Sequence, residues 1–321
     1  MLDCGAMNCG AMNCGAMNRG AMIRRPPLVR GAACAATLLA FALAPAAFAE
    51  GYPPEHAETR ALISLVDAAA ALVAEKGPEG ACTAFHEQGS RWLHDETYVF
   101  ILDLEGLALC HPGRPSLEGK GQIDLRDPHG RPIVRNFIRD LGQSDTGWEH
   151  YLWPRPGGGN NFFWKTSYVR RAVGPDGVAS IVGSGGYQMP MERIYVVDQV
   201  DDAAALLERD GEAAFEALRD KAGGFRFYDS YVFVMATSGV HLVNAGFPEH
   251  EGKNLLDLAD ENGKVIGREM LAVLANADSG WVDYMWPRPG DDPASRKSSY
   301  VRKATLPDGR TVIVGAGLYL D

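Results

Sequence analysis

The sequence has few of the residues and motifs on which catalysis and metal binding depend. Its eight His are scattered, and it contains no His-Glu-x-x-His, no Gly-x-Ser-x-Gly and no phosphate-binding loop. The glycine cluster at 183–186 falls at the end of an expected strand with no helix after it, so it is not a dinucleotide-binding motif. We therefore predict no enzymatic activity, no catalytic residue, no cofactor and no metal site.

Basic residues and long apolar runs are also scarce. Asp and Glu outnumber Lys and Arg by 41 to 31, which gives a formal net charge of −10 at pH 7. A nucleic-acid-binding surface needs clustered positive charge, so we expect no nucleic-acid partner. After Glu50, charge, Gly or Pro interrupts every apolar run within about ten residues, whereas a transmembrane helix needs about 20. We expect no membrane span in that part of the chain.

The first fifty residues contain two segments that we assign to no folded domain. Residues 1–21 repeat a short Cys-Gly-Ala-Met-Asn unit, a low-complexity leader that a wrongly assigned start codon would explain. Residues 22–49 carry three Arg, then an apolar run, then Ala47-Phe48-Ala49, an order typical of a secretory signal peptide. A membrane anchor is the alternative, but the run is too short and Pro45 interrupts it. Cleavage before Glu50 would leave a periplasmic or secreted protein.

The most informative feature is a motif that occurs twice. Tyr-x-Trp-Pro-Arg-Pro-Gly occupies residues 151–157 and 284–290, and Lys-x-Ser-Tyr-Val-Arg and then Gly-x-Gly-x-Tyr follow each copy. The copies are offset by 133 residues, and by 132 after a one-residue deletion. A unit of about 130 residues can bury its own core. We therefore predict two tandem domains, at residues 55–192 and 193–321.

Within one unit, the apolar pattern predicts helices first and strands later. Leu62, Val66 and Val73 belong to an apolar stripe at spacings of three and four, which indicates a helix over 56–76 that ends at Gly77-Pro78. A shorter helix is expected over 78–86 and another around 134–141. Short β-branched and aromatic runs then predict strands at 97–103, 107–111, 147–153, 165–172 and 179–187. The fold class is α+β, with a long N-terminal helix packed on an antiparallel sheet of about five strands.

Two of the six Cys, Cys82 and Cys110, lie after the expected cleavage site. An oxidising compartment permits a disulfide between them. Their counterparts in the second unit are Phe215 and Val243, which are ordinary core residues. Buried free thiols are therefore the simpler interpretation, and a disulfide is the alternative.

Taken in order, the repeated motifs resemble the Cache family of extracytoplasmic sensor domains, in particular the single-Cache type 2 module. Each unit has Glu-Gly-Lys at 118–120 or 251–253, then Tyr-x-Trp-Pro-x-Pro, Lys-x-Ser-Tyr and the closing Gly-x-Gly-x-Tyr. The resemblance covers about residues 60–321. It implies two tandem PAS-like domains, each with a small-molecule pocket on the sheet face away from the long helix.

The same resemblance implies a sensory function, because such modules commonly recognise small carboxylates outside the membrane. We expect an exported protein that binds short organic acids and signals through a membrane receptor, kinase or transporter. The alternative is a degenerate interaction module that docks another protein and has no ligand of its own.

Two aromatic pairs are expected to form the pocket walls. Alternate residues of a strand share a face, so Tyr151 points with Trp153, and Tyr284 points with Trp286. An aromatic wall with polar tips suits a small, partly polar ligand. Core packing is the alternative for these residues.

A lysine begins the next strand of each unit, as Lys165 and Lys297. Its ammonium could hold a carboxylate by a charge-assisted bond. A surface lysine, or one paired with an Asp such as Asp283, is the alternative. Tyr168 and Tyr300 follow three residues later and lie on the opposite face of a regular strand, so they reach the same pocket only if the strand twists or bulges.

The remaining candidates flank the motif. Arg155 and Arg288 lie between prolines in a segment suited to an ordered loop over a pocket mouth, although an exposed Arg in a turn needs no function. His111 replaces Asn244 of the second unit. We therefore expect the two pockets to prefer different ligands.

Overall fold

Two helix-and-sheet units follow one another in the computed structural model, which describes residues 52–290 and 293–320. The expected leader (1–21) and signal peptide (22–49) lie outside the described residues. Within the described ranges, no helix has both the length and the apolar character needed to cross a membrane.

The first unit contains two helices and one main sheet. Its elements are α1 (Ala57–Phe85), β1 (Leu93–His94), β2 (Thr97–Tyr98), β3 (Phe100–Asp103), β4 (Ala108–Cys110), α2 (Ile133–Gln143), β5 (Thr146–Pro154), β6 (Phe162–Val173) and β7 (Ala179–Tyr187). The main sheet is antiparallel in the order β4-β3-β7-β6-β5, and β1 and β2 form a separate ribbon.

The second unit repeats this arrangement. Its elements are α3 (Arg193–Asp210), α4 (Ala214–Arg219), β8 (Arg226–Phe227), β9 (Ser230–Tyr231), β10 (Phe233–Ala236), β11 (His241–Asn244), α5 (Ile266–Leu274), β12 (Ser279–Pro287), β13 (Ala294–Thr305) and β14 (Thr311–Tyr319). Its sheet has the order β11-β10-β14-β13-β12. The predicted fold class, a helix before a five-stranded antiparallel sheet in each of two units, is confirmed.

Helix α1 combines the two predicted helices across a kink. Gly77 has φ of 72° inside the helix and Pro78 follows it, so the interruption falls where the sequence predicted an end. Leu62, Val66 and Val73 of α1 are buried. Each fully buried side chain of this size contributes about 1.5 to 3 kcal/mol to folding. These contacts hold α1 on one face of the first sheet and leave the other face for α2 and the loops around it.

Cys82 and Cys110 form a disulfide, so the interpretation of the two residues as free thiols was wrong. The bond joins α1 to β4, with the two Cα atoms 5.6 Å apart. In the second unit, Phe215 packs against the core that contains the buried Val243. The apolar counterparts misled the prediction because a disulfide and an apolar contact fill the same space between helix and sheet.

Several carboxylates surround one arginine where the two units meet. Arg139 Nη2 lies 2.7 Å from Asp140 Oδ1, 3.3 Å from Glu149 Oε1 and 3.4 Å from Asp202 Oδ2 on α3. Burial, and then the neighbouring charge of Glu149, raise the pKa of Asp140 to about 8. Burial also raises the pKa values of Glu149, Asp202 and Asp198. This contact between the units therefore favours protonated carboxyl groups.

We predict that Asp140→Asn flattens the pH dependence of stability. In the unfolded chain the pKa of an Asp side chain is about 4. Between that pH and about 8 the folded protein binds more protons at Asp140, so its stability falls as the pH rises through this window. Calorimetric unfolding temperatures across the window should drop in the parent and change less in the variant. The exposed Asp145 supplies the control, and an equal slope in parent and Asp140→Asn would contradict the prediction.

Candidate functional site

Strand register places a Tyr-Lys-Tyr row on one face of each sheet. In the first unit Lys165 lies opposite Tyr151 on β5 and opposite Tyr187 on β7. Directly paired residues of an antiparallel sheet project from the same face. The second unit repeats the row as Tyr284, Lys297 and Tyr319. This is the face away from the long helix.

Both lysines are fully buried between tyrosine rings. Lys165 Nζ lies 3.9 Å from the ring centroid of Tyr98 and donates to Tyr98 Oη at 2.6 Å. Lys297 Nζ lies 3.8 Å from the ring centroid of Tyr231 and has no hydrogen-bond partner in the described part of the chain. Neither ammonium forms an ion pair with a carboxylate of residues 52–290 or 293–320.

This burial changes the acidity of both lysines. Removal from water disfavours the ammonium form, which lowers the pKa of Lys297 to about 7 although Asp229 opposes the shift. Burial also lowers the pKa of Lys165 well below its ordinary value. Each sheet therefore contains a buried lysine whose charged form is disfavoured.

A small cavity lies on the same face of each sheet. The first cavity, of about 30 Å³, is lined mainly by aromatic and aliphatic side chains, including Phe100, His111, Phe137, Tyr151 and Trp153. The second, of about 10 Å³, is lined by residues that include Tyr231, His241, Asn244, Tyr284 and Trp286. A cavity needs roughly 10 to 15 Å³ to hold one water molecule, so both spaces are very small.

Tyr151 and Trp153 line the first cavity, and Tyr284 and Trp286 line the second. The hydroxyl groups of Tyr151 and Tyr284 are fixed by hydrogen bonds to Ser167 Oγ (2.8 Å) and Ser299 Oγ (2.9 Å). Tyr151 and Trp153 pack edge to face with their centroids 6.1 Å apart, and Tyr284 and Trp286 pack in the same way at 6.0 Å. These contacts fix the orientation of the aromatic rings.

The closing Gly-x-Gly-x-Tyr motif makes room for the lysine stem. A Cβ on Gly185 would lie 2.5 Å from Ser167 Oγ and 2.6 Å from Lys165 Cε, and one on Gly317 would lie 2.7 Å from Lys297 Cε. Any residue larger than glycine at this position would clash with the lysine side chain of the neighbouring strand. This explains why the glycine and the lysine occur together in both copies.

We predict that Gly317→Ala displaces Lys297. The added methyl group should destabilise the protein by about 1 to 3 kcal/mol and weaken acid binding to the second unit by about tenfold or more. Chemical denaturation and calorimetry measure the two effects. Gly142→Ala is the control, since a Cβ there meets nothing within 4 Å. Unchanged binding in Gly317→Ala would show that the position of Lys297 does not matter.

The two predicted arginines contact the outer tyrosines and do not line the cavities. Arg155 pairs with Glu96, and its guanidinium lies 5.4 Å from the ring centroid of Tyr187. Tyr187 in turn donates to the Pro154 carbonyl oxygen at 2.8 Å. Arg288 repeats the arrangement by pairing with Asp229 and lying 4.5 Å from the ring centroid of Tyr319. The arginines therefore position the tyrosines that enclose the lysines.

Tyr168 and Tyr300 lie on the other face and do not reach either cavity. Tyr168 packs 4.7 Å from Trp148 and belongs to the cluster that contains residues of α1. Tyr300 packs 5.4 Å from Trp281, beside α3. The pairing of β6 with its neighbours is continuous through Tyr168, so the strand has no bulge there. The structure thus brings the lysines, and not these tyrosines, to the cavity face.

Sequence reasoning missed the tyrosines that enclose the lysines and one histidine. Tyr98 and Tyr231 stand at the repeat offset, as do Tyr187 and Tyr319, and that repetition is the signal that could have identified them. His241 had no such signal, since its counterpart is Ala108. Burial lowers the pKa of His241 to about 4, and burial followed by the charge of Lys165 lowers that of His111 to about 3. Both imidazole rings are therefore neutral at pH 7. They do not occupy equivalent positions, because the counterpart of His111 in the second unit is Asn244.

The units match a known family of domains. A family model for Cache domains (dCache_2) matches residues 88–204 and 206–321, which together are more than half of the chain. The first range contains the first sheet and α2 and continues into α3, and the second contains α4, α5 and the second sheet.

Relatives with curated names match one part of the chain. Methyl-accepting chemotaxis protein McpP of Pseudomonas putida is 35% identical over 97 residues, which are 30% of this chain and 17% of that protein. Sensor histidine kinase MctS of Rhizobium johnstonii is 33% identical over 93 residues, which are 29% of this chain and 19% of that protein. The chain thus spans less than a fifth of the length of these curated relatives.

A solved structure described as the structural basis for carboxylic acid recognition by a Cache chemosensory domain is 26% identical to this chain. The match covers 39% of this chain and 91% of the solved one, with a TM-score of 0.34.

Proposed function

The chain belongs to the Cache domain family, and from that premise we propose that it is an exported sensory protein whose two pockets bind short organic acids. The observation that carries the proposal is the buried lysine on the cavity face of each sheet, which forms no ion pair with a carboxylate in the described part of the chain. Taking a charge out of water costs several kcal/mol unless an opposite charge compensates it. A bound carboxylate would supply that charge and a short, charge-assisted hydrogen bond.

Neither lysine lines its cavity, but the small space on the same sheet face limits the ligand to a small acid. The cavities of about 30 and 10 Å³ hold about two water-sized groups and one, so even a small acid enters only if the side chains that line them move apart. Acetate, propionate, pyruvate and lactate combine one carboxylate with a short apolar part. Because His111 lies in the first pocket while His241 and Asn244 lie in the second, the two pockets should rank these acids differently.

The relatives indicate how binding could be used. One is a chemotaxis protein and the other a sensor histidine kinase. We propose that the acid-bound state is passed to a membrane receptor, kinase or transporter in the periplasm or outside the cell.

Calorimetry with acetate, propionate, pyruvate, lactate and amino acids tests the proposal. Propionamide is the matched uncharged ligand, because it keeps the size and lacks the carboxylate. Binding of at least one acid without binding of propionamide is the expected result. If no acid binds, or propionamide binds equally well, the lysines are not anion sites, and docking of another protein becomes the better explanation.

Acid binding to the second pocket should take up protons. With a pKa of about 7, Lys297 is about half deprotonated at neutral pH, whereas a bound carboxylate requires the ammonium form. We predict an uptake of about half a proton at pH 7, rising toward one as the pH increases, and affinity that falls above pH 7.

Calorimetry in two buffers of different ionisation enthalpy measures this uptake. A Lys165→Met background removes the contribution of the first pocket. Equal heats in the two buffers at every pH would show that Lys297 does not change its protonation on binding.

A further inference from the structure

Four side chains of the first unit that can each ligate a metal ion lie together beside β4. They are Cys82 and His86 at the end of α1, Cys110 at the end of β4, and Glu118 in the following loop. Their donor atoms all lie within 4.8 Å of one another. His86 Nε2 is already 2.7 Å from Glu118 Oε1.

Within the described residues, the second unit has no such cluster, and it shows which residues are sufficient for folding at this position. The counterpart of His86 is Arg219, which pairs with Glu251 at 2.8 Å, the counterpart of Glu118. A disulfide accounts for the two cysteines of the first unit, but it does not account for a histidine where an arginine forms the same ion pair. Three of the four ligand residues, Cys82, His86 and Cys110, thus have no metal-ligating counterpart in the second unit.

We propose that these four residues bind a thiophilic divalent cation such as Zn²⁺ when the disulfide is reduced. Two thiolates, an imidazole and a carboxylate suit a tetrahedral zinc site, in which neighbouring donors are about 3.3 to 3.8 Å apart. After reduction the two sulfurs, and His86 Nε2 and Glu118 Oε1, must move apart by about 1 to 2 Å, while the more distant donor pairs, at up to 4.8 Å, must approach by about 1 Å. The side chains of His86 and Glu118 are 38% and 28% exposed, which gives the cation a path from solvent.

The reduction requires a dithiol as the electron donor. Its two thiols supply two electrons and two protons, the bond between the sulfur atoms of Cys82 and Cys110 breaks, and a disulfide forms in the donor. The cation then displaces the two protons from the cysteine sulfurs as it binds.

Cobalt binding to the purified protein tests the proposal, because Co²⁺ bound by thiolates has a characteristic charge-transfer absorption. The four other cysteines are replaced by Ser in every sample, at Cys4, Cys9, Cys14 and Cys34. The protein is reduced with dithiothreitol, freed of it without oxygen, and titrated with Co²⁺. We expect one equivalent to give the thiolate bands in the reduced protein, none in the oxidised protein, and loss of the bands when Zn²⁺ is added.

His86→Arg is the decisive variant, since it restores the ion pair of the second unit and removes the nitrogen ligand. We expect it to weaken Zn²⁺ binding by about 100-fold or more without changing thermal unfolding of the oxidised protein. If it does not fold, Glu118→Gln serves the same purpose, because its amide oxygen still accepts the hydrogen bond from the His111 N–H group. Arg219→Ala should have no effect on metal binding. Equal cobalt binding by reduced and oxidised protein, or by parent and both variants, would overturn the proposal.

Discussion

Replacing Lys297 by Met should abolish acid binding to the second unit and leave the fold at least as stable. Met preserves much of the volume of the lysine stem and removes the charge. Because the carboxylate of the ligand would lose its buried counter-ion, we expect the dissociation constant to rise by roughly 100-fold or more.

The stability part of this prediction follows from the environment of the ammonium group. Lys297 is fully buried, its Nζ has no hydrogen-bond partner in the part of the chain that the structure describes, and burial lowers its pKa. Replacing a buried charge by an apolar side chain of similar volume is often neutral or stabilising by about 1 to 4 kcal/mol. Lys165→Met should stabilise less, because Lys165 donates to Tyr98 Oη and its removal leaves that hydroxyl without this contact.

Calorimetry and chemical denaturation of the same preparations measure both effects. Lys303→Met is the matched control on the same strand, since the ammonium of Lys303 is partly exposed and lies 3.3 Å from Asp278. We expect this control to bind the acid normally. Normal binding by Lys297→Met together with Lys165→Met would refute the assignment of the lysines as anion sites, and a large loss of stability would show that Lys297 has a structural role.

Much of the fold could be predicted because its signals are local or repeated. The break at Gly77-Pro78, the alternation along β5 and the closing strand of each unit all follow from residue types at short spacing. Strand alternation also predicted that Tyr168 and Lys165 project from different faces of the sheet. The continuous pairing of β6 agrees with this and places Tyr168 on the face that packs against the long helix. One sequence with two copies acts as a small alignment, which identified the units.

The enclosure of the lysines could not be predicted, because it depends on residues far apart in the chain. Tyr98, which contacts Lys165 Nζ, is 67 positions away, and Tyr187 approaches from a different strand. A lysine at the start of a strand is usually exposed, and nothing at short spacing indicates that two tyrosines will enclose it. Repetition marked Lys165 and Lys297 as candidates, but only the packed sheet shows that both are buried.

The contribution of the disulfide to stability can be tested directly, because the second unit has Phe215 and Val243 at the positions of Cys82 and Cys110. Cys82 and Cys110 are separated by 28 positions, and closing a loop of that length stabilises a protein by about 3 to 4 kcal/mol through the entropy of the unfolded chain. We predict that Cys82→Ser with Cys110→Ser loses about this much in chemical denaturation.

Replacement by the residues of the second unit separates the covalent link from the packing. Cys82→Phe with Cys110→Val should regain part of the loss, since Phe215 packs against the core that includes Val243 at this position. Dithiothreitol should lower the stability of the parent and leave both double variants unchanged. Equal stability of the parent and the double serine variant would show that the disulfide does not stabilise the fold.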